Sequence, residues 1–327
     1  MSSEMSLDLE LSMSVFFEYC NLTLLILILA VMISVLIPVY NSNIVTLVTH
    51  VHTQLQLCNV PFEIICLDDA STSEVTNEND NISNLDFTSY IKSKENLGRT
   101  NARQYLAKKA TYDWLFFLDA DVIPKLDTFI SNYLIFIDSD YEAIYGGFAY
   151  HENIPDSDYM LRWKYGKTHE QISAIQRNKR PYKVIISANF MIKKPVFIDI
   201  NSQIEQKGYG FDNFFAALLK MKKIKVFHID NEVYHLGIET SAIYLNKKEK
   251  AAETLLSLHK ANKIGSHQND LLLLFIKLKR YRLHYIFSLV YKTFKKTLKQ
   301  NLLSSRPSMK VLQLYRICYM CYKDLNY

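Results

Sequence analysis

Residues Trp114-Leu115-Phe116-Phe117-Leu118-Asp119-Ala120-Asp121-Val122-Ile123-Pro124 run five apolar side chains into two carboxylates and then a proline. A short apolar run rich in aromatics predicts a strand buried on both faces, as in a parallel sheet covered by helices. Proline lacks a ladder donor, so the strand ends before Pro124. Asp119 and Asp121 then stand at the carboxyl end of a core strand, where open α/β sheets bind ligands. Two carboxylates this close repel each other unless positive charge lies between them. A hard divalent cation carrying a nucleotide diphosphate suits that place. A lone Asp-x-Asp also fits two ordinary loop acids, one of them capping a following helix. The rest of the chain decides between these readings.

Upstream, apolar strands alternate with amphipathic stretches. Ile33–Val39 predicts a first strand, running into Tyr40-Asn41-Ser42, and residues 43–57 have helical character. Phe62–Leu67 predicts a second strand, ending in Asp68-Asp69-Ala70-Ser71, and the polar residues 72–86 read as a loop or short helix. Tyr90–Lys92 is a third, short strand before Asn96-Leu97-Gly98-Arg99, and residues 100–110 return to helical spacing. This β-α-β-α order implies right-handed crossovers and a mostly parallel sheet. The pairs Asp68/Asp69 and Asp119/Asp121 then share one carboxyl edge, which says more than either pair alone.

Downstream the pattern loosens. Ala143–Gly147 reads as a strand with a tight turn, and Val184–Met191 as a strand containing Asn189. Tyr159, Trp163, Tyr165 and Tyr182 lie among many charges and read as packing rather than as the wall of a sugar site. Gly208-Tyr209-Gly210-Phe211-Asp212-Asn213 is a glycine-hinged acidic loop opening an apolar helix over 214–221. Val226–Ile229 and Val233–His235 close the set.

Length and composition allow one large α/β domain with an appendage: 327 residues, 49% hydrophobic. Charge is uneven. Residues 271–327 hold twelve Lys or Arg and one acid, against a net charge of +5 for the whole chain. Lysines and arginines there interleave with Leu, Ile, Phe and Tyr, the pattern of a basic amphipathic helix at a membrane surface or, equally, of a helix packed on the domain with a solvated basic face. Nucleic acid is the other reading of basic-plus-aromatic sequence, but no nucleic-acid fold accompanies it. Five scattered cysteines imply no disulfide framework and fit a reducing cytoplasm. Leu11–Val39 is almost continuously apolar and long enough to span a bilayer, yet lacks the basic start of a signal peptide. Residues 1–31 therefore read either as a membrane anchor or as an over-extended start ahead of Met32. The expected organisation is this apolar segment, a main domain over 32–260 and a basic helical tail over 261–327. The expected location is the cytoplasm, at the inner face of the membrane.

Ile33–Asn41, Glu63–Ser71, Asn96–Arg103 and Leu115–Pro124 resemble, in order and spacing, the successive motifs of family 2 glycosyltransferases. The resemblance runs over roughly residues 32–240. It implies a GT-A fold, in which a Rossmann-like nucleotide-binding half joins an acceptor-binding half. It implies a nucleotide-sugar donor of UDP type, a saccharide or lipid-linked acceptor, inversion at the sugar, and work in cell-surface polysaccharide synthesis. By the same resemblance Tyr40 packs the base and Asp69 hydrogen-bonds it, while Asp68 is structural. Asp119 reaches the ribose or a metal-bound water, and Asp121 ligates Mn²⁺ or Mg²⁺. Arg103 orders the acidic edge, Asn189 stands near a sugar, and His235 completes the metal shell ahead of His228. Relatives often carry Glu-Asp where this chain has Asp212-Asn213. Asparagine takes no proton, so the base falls to Asp212.

Three rival readings stay open. A haloacid-dehalogenase-type phosphatase also places apolar residues before Asp-x-Asp, but that motif normally opens its domain. A nucleotidyltransferase needs paired acids and a metal, together with a glycine-rich basic signature near the first strand, whereas the first Lys or Arg here is Lys92. A non-catalytic nucleotide-sugar binder is prompted by Asn213.

Overall fold

The structure, a computed structural model, describes residues 32–205 and 208–326. The apolar segment 1–31 lies outside the described residues. Strands β1 (Ile33–Val39), β2 (Phe62–Asp68), β3 (Thr88–Lys92) and β4 (Trp114–Leu118) lie in the order β3-β2-β1-β4, all parallel. Helix α1 (Val45–Cys58) follows β1, and α2 (Arg99–Lys109) leads into β4. Period-two alternation sends the two sides of each strand into different cores. Ile33, Val35 and Ile37 of β1 join Trp114, Phe116 and Leu118 of β4 on one face; Leu36 joins Leu115 and Phe117 on the other. All are buried, so the apolar run that opened the analysis is a strand covered on both sides.

Three more strands extend the sheet past β4 as β4-β8-β6-β9: β6 (Ala143–Tyr145), β8 (Asn189–Lys193) and β9 (Val226–His228). Strand β8 is antiparallel to both of its neighbours. It begins at Asn189, five residues later than the sequence pattern suggests. The reason is its partner: Asn189 pairs with Leu118, and beyond Leu118 strand β4 gives way to the acidic turn. Val184–Ala188 therefore have no ladder to join and line a cleft instead.

A second, small sheet is built from β5 (Val122–Pro124), β7 (Phe148–Ala149) and β10 (Val233–His235), in the order β5-β10-β7. Short helices α3 (Phe129–Leu134), α4 (Met160–Tyr165), α5 (Ala174–Asn178) and α6 (Lys194–Asn201) fill the flanks, and α7 (Asp212–Met221) precedes β9.

The tail folds onto the domain. Helices α8 (Ser241–Lys260), α9 (Asp270–Arg280), α10 (His284–Leu302) and α11 (Met309–Asn326) pack together. Leu272, Phe275, Leu312 and Tyr315 belong to the same buried cluster as Leu36 and Phe117. Tyr315 and Tyr319 of α11 donate to Glu249 and Glu253 of α8. Among the described residues no helix is long and apolar enough to cross a membrane.

Candidate active site

The site grows from the carboxyl ends of β1, β2 and β4. Tyr40 follows β1 and is half exposed. Asn41 turns the chain with a positive φ, and its side chain accepts from the N–H groups of Thr72 and Ser73, tying the end of β1 to the loop after β2. Asp68 accepts from the Ser71 N–H and the Tyr90 hydroxyl, which is structural work. Asp69 takes the N–H groups of Leu97 (2.6 Å) and Gly98 (2.9 Å) on its two oxygens, and so positions the loop that opens α2. It also edges the cleft, together with Tyr40.

That loop delivers Arg99. Arg99 and Arg103, one helical turn apart, each donate to a different oxygen of Asp119, both at 2.5 Å. Arg103 is buried and also donates to the Ser187 carbonyl, binding the acidic turn to the 184–188 wall. It reaches neither of the two larger clefts and acts through Asp119. Arg99 is half exposed, and sequence reading passed over it. Its one signal was its place in Asn-Leu-Gly-Arg, directly after the acid-held turn.

Asp121 faces the other way. Val122 pairs with His235 across β5 and β10, and this register brings the imidazole Nε2 to 3.5 Å from the Asp121 carboxylate. Gly237 comes so close that a Cβ there would sit 2.4 Å from Asp121 Oδ2. Burial raises the Asp121 carboxyl, with Asp119 adding to the rise against the pull of His235. Burial lowers the His235 imidazole, which favours the neutral form that ligates metals. Among the described residues His235 Nδ1 has no protein partner, and the link to Asp121 is the ring's one polar attachment.

A carboxylate and a neutral imidazole at that separation fit two neighbouring ligands of one Mn²⁺ or Mg²⁺ ion, given metal–ligand distances of about 2.1 Å. Among the described residues no group of three or more His, Cys, Asp or Glu gathers to hold a metal, here or elsewhere. His228, by contrast, is buried against Pro181, Asn178 and Arg177, and burial pushes its imidazole down to about 4.

Two clefts meet at this point. One, of about 380 Å³, is lined by Tyr40, Asp69 and Gly98. The other, of about 300 Å³, is lined by Tyr165, Tyr182, Tyr209, Asp212 and His267–Asn269. Arg99, Asp119 and Asp121 line both. Asp212 is the first residue of α7 and is exposed to the second cleft. Gly210 sets up that approach with φ +96°, and a Cβ on it would run into Ala251. Asn213 donates to the Gly210 carbonyl and accepts from Asn269, which fixes it as a structural amide. Tyr165 and Tyr182 pack against the core, as expected, and also line the second cleft.

Asn189 is the clearest correction. It is fully buried; its amide donates to the carbonyls of Gly147 and Asn231, and its oxygen accepts from the Tyr133 hydroxyl. It holds the floor beneath the small sheet and has no face open to a sugar.

The architecture recurs in solved structures. A mannosyltransferase, PcManGT from Pyrobaculum calidifontis, solved with GDP-Man and Mn²⁺, is 12% identical with a TM-score of 0.53, covering 90% of this chain and 86% of that one. TarS from S. aureus is 16% identical with a TM-score of 0.43; the match covers 71% of this chain, and this chain spans only 41% of that longer one. A shorter piece of TarS, residues 1–349 with UDP-GlcNAc, is 14% identical with a TM-score of 0.46, covering 90% of this chain and 93% of that one. No curated protein sequence matches. The model of Glycosyl transferase family 2 matches residues 34–202, more than half of the chain and from within β1 to just past the end of α6, and the chain belongs to that family.

Proposed function

We propose that this glycosyltransferase moves a sugar from a nucleoside diphosphate donor, of UDP type, to a saccharide or lipid-linked acceptor, with inversion and with the help of a divalent cation. The observation that carries the reading is the meeting of two clefts at Arg99, Asp119 and Asp121. A donor laid along Tyr40 and Asp69 brings its diphosphate to that junction and its sugar toward Asp212. Asp121 and His235 are the residues that would hold Mn²⁺ or Mg²⁺. The chemistry such an ion supplies is neutralisation of the charge that develops on the departing diphosphate.

The chain's own groups account for the rest. Arg103 fixes Asp119, and Asp119 fixes Arg99. The guanidinium of Arg99 is thereby aimed at the place where phosphate charge builds, a preorganised arrangement that costs no rearrangement during reaction. Asp212 takes the proton from the attacking acceptor hydroxyl. The new oxygen–carbon bond forms as the sugar–phosphate bond breaks on the opposite face, and the electron pair leaves with the diphosphate oxygen. Cell-surface polysaccharide synthesis is the setting we assign, since the tail surface described below suits a membrane-borne acceptor.

The test is release of nucleoside diphosphate from a panel of nucleotide sugars with Mn²⁺, comparing the wild type with Asp121→Ala. Cation-dependent release from one donor, lost in the variant, supports the proposal and names the sugar. Tight donor binding with no release in the presence of mixed glycan acceptors would favour a binding protein. Failure to bind any nucleotide sugar would sink both.

A further inference from the structure

We infer that the outer face of α9 and α10 is a docking surface for an anionic lipid bilayer, set at the lip of the second cleft. Asn269 caps α9 by accepting from the Leu272 N–H and donates its amide to Asn213 in the cleft wall. One turn further on, the side of α9 facing away from the core is apolar and basic together. Leu273, Leu274, Tyr281, Tyr285, Ile286 and Leu289 are each between 43% and 63% exposed. They follow the helical repeat opposite the buried Leu272, Phe275, His284, Ser288 and Tyr291. The two faces join at turn 281–283, where all three residues are exposed.

Charge separates this surface from an ordinary solvated one. Nine of the twelve basic residues of the tail fall into two sets. Lys279 pairs with Asp324, Lys299 with Glu249 and Lys323 with Glu253, all turned toward α8 or α11. Lys277, Arg280, Arg282, Lys292, Lys295 and Lys296 have no acid within ion-pair distance among the described residues, and all are exposed. Asp324, the one acid of residues 271–327, is already held by Lys260 and Lys279. The outer face therefore presents uncompensated positive charge beside exposed aliphatic and tyrosyl side chains. Phosphate headgroups take the first and the headgroup–acyl boundary takes the second. Nucleic acid would use the charge and leave Ile286 and Leu289 without a partner, so the bilayer is the occupant that matches both. Because α9 begins in the cleft wall, docking would turn the cleft mouth toward lipid.

The experiment is co-sedimentation of the full chain with phosphatidylcholine vesicles, with and without phosphatidylglycerol, at low and high salt. The chain should partition to the anionic vesicles and be released by salt. Lys277→Glu/Arg280→Glu/Lys292→Glu/Lys296→Glu should weaken that partition by at least about tenfold. Ile286→Ser/Leu289→Ser, which leaves the charges in place, should weaken it severalfold, with unfolding midpoints of both variants close to wild type. Equal binding to neutral vesicles, or wild-type binding by the charge-reversed chain, would overturn the inference and assign any lipid contact to the apolar residues 1–31. Failure to bind anionic vesicles would also overturn it, as would a dimer in solution that the apolar variant dissolves, or capture of a duplex oligonucleotide in preference to vesicles.

Discussion

In the β3-β2-β1-β4 half of the sheet, Tyr40, Asp69 and Asp119 each follow directly on a strand, so the parallel ladder alone carries them to one edge. In the β8-β6-β9 half, nothing so simple places Asp212 or His235. His235 reaches Asp121 because β10 pairs with β5, a hundred residues and more upstream. Beneath β10 lies a knot of buried polar side chains. Asn189 and Asn231 bond Gly147, Tyr133 and Phe129, while Arg177 donates to the carbonyls of Tyr145, Gly146 and Ile229. The proposed donor side is thus placed by the sheet alone, whereas the proposed acceptor side also depends on long-range hydrogen bonds beneath β10, in low dielectric.

Asp121 lies on the seam between the halves, and its loss should have the largest effect. Asp121→Ala should cut donor turnover about a thousandfold while leaving the unfolding midpoint near that of the wild type. A chelator should do the same to the wild type. Asn189→Leu should show the opposite signature. It removes three hydrogen bonds buried in the core and should lower stability by about 3 kcal/mol in urea titration. A loss below about 1 kcal/mol would mean that the acceptor side is held as the donor side is, by its strands, and the contrast between the halves would fail.

The same contrast governs what can be read in the sequence. The four parallel strands and their acidic ends are legible because burial on both faces writes a continuous apolar run, and Asp119 and Asp121 sit at its end. Strand β8 is misread at its start because Val184–Ile186 are apolar for packing against the cores beside the cleft, and pattern alone does not separate such a segment from a strand. Asn189 is misread because a buried amide and a ligand-facing amide are the same letter. Its partners, Gly147 and Asn231, are about forty residues away. Arg99 is missed for the same reason: its meaning comes from the Asp119 oxygen that it meets across twenty residues. The tail is legible as basic and amphipathic, but not as three helices whose inner faces close the core.

On the acceptor side, Asp212→Asn keeps size and shape and removes the proton acceptor. Turnover should fall about a hundredfold, with nucleotide affinity unchanged within about twofold. A weakened nucleotide affinity would move Asp212 to the donor side of the seam.

Glu170 gives the smallest effect and the sharpest view of how charge holds the acceptor side. It lines the second cleft, receives the Tyr150 hydroxyl, and pairs with buried Arg162 at 3.0 Å. Burial alone would raise its carboxyl, but Arg162, Lys248 and the Tyr150 hydroxyl bring it below the usual carboxylate range. A carboxyl depressed in the folded state stabilises the fold above its unfolded value, and that stabilisation is lost as pH falls through the folded value. Glu170→Gln should therefore cost about 2 kcal/mol at neutral pH, because Arg162 keeps its charge and loses its counter-ion. The gap between variant and wild type should narrow as the pH drops below the ordinary carboxylate range, since the wild-type carboxyl then becomes neutral as well. A gap constant with pH would mean that the side chain matters there for its shape and not its charge. The acceptor wall would then be held by packing, as the donor half is.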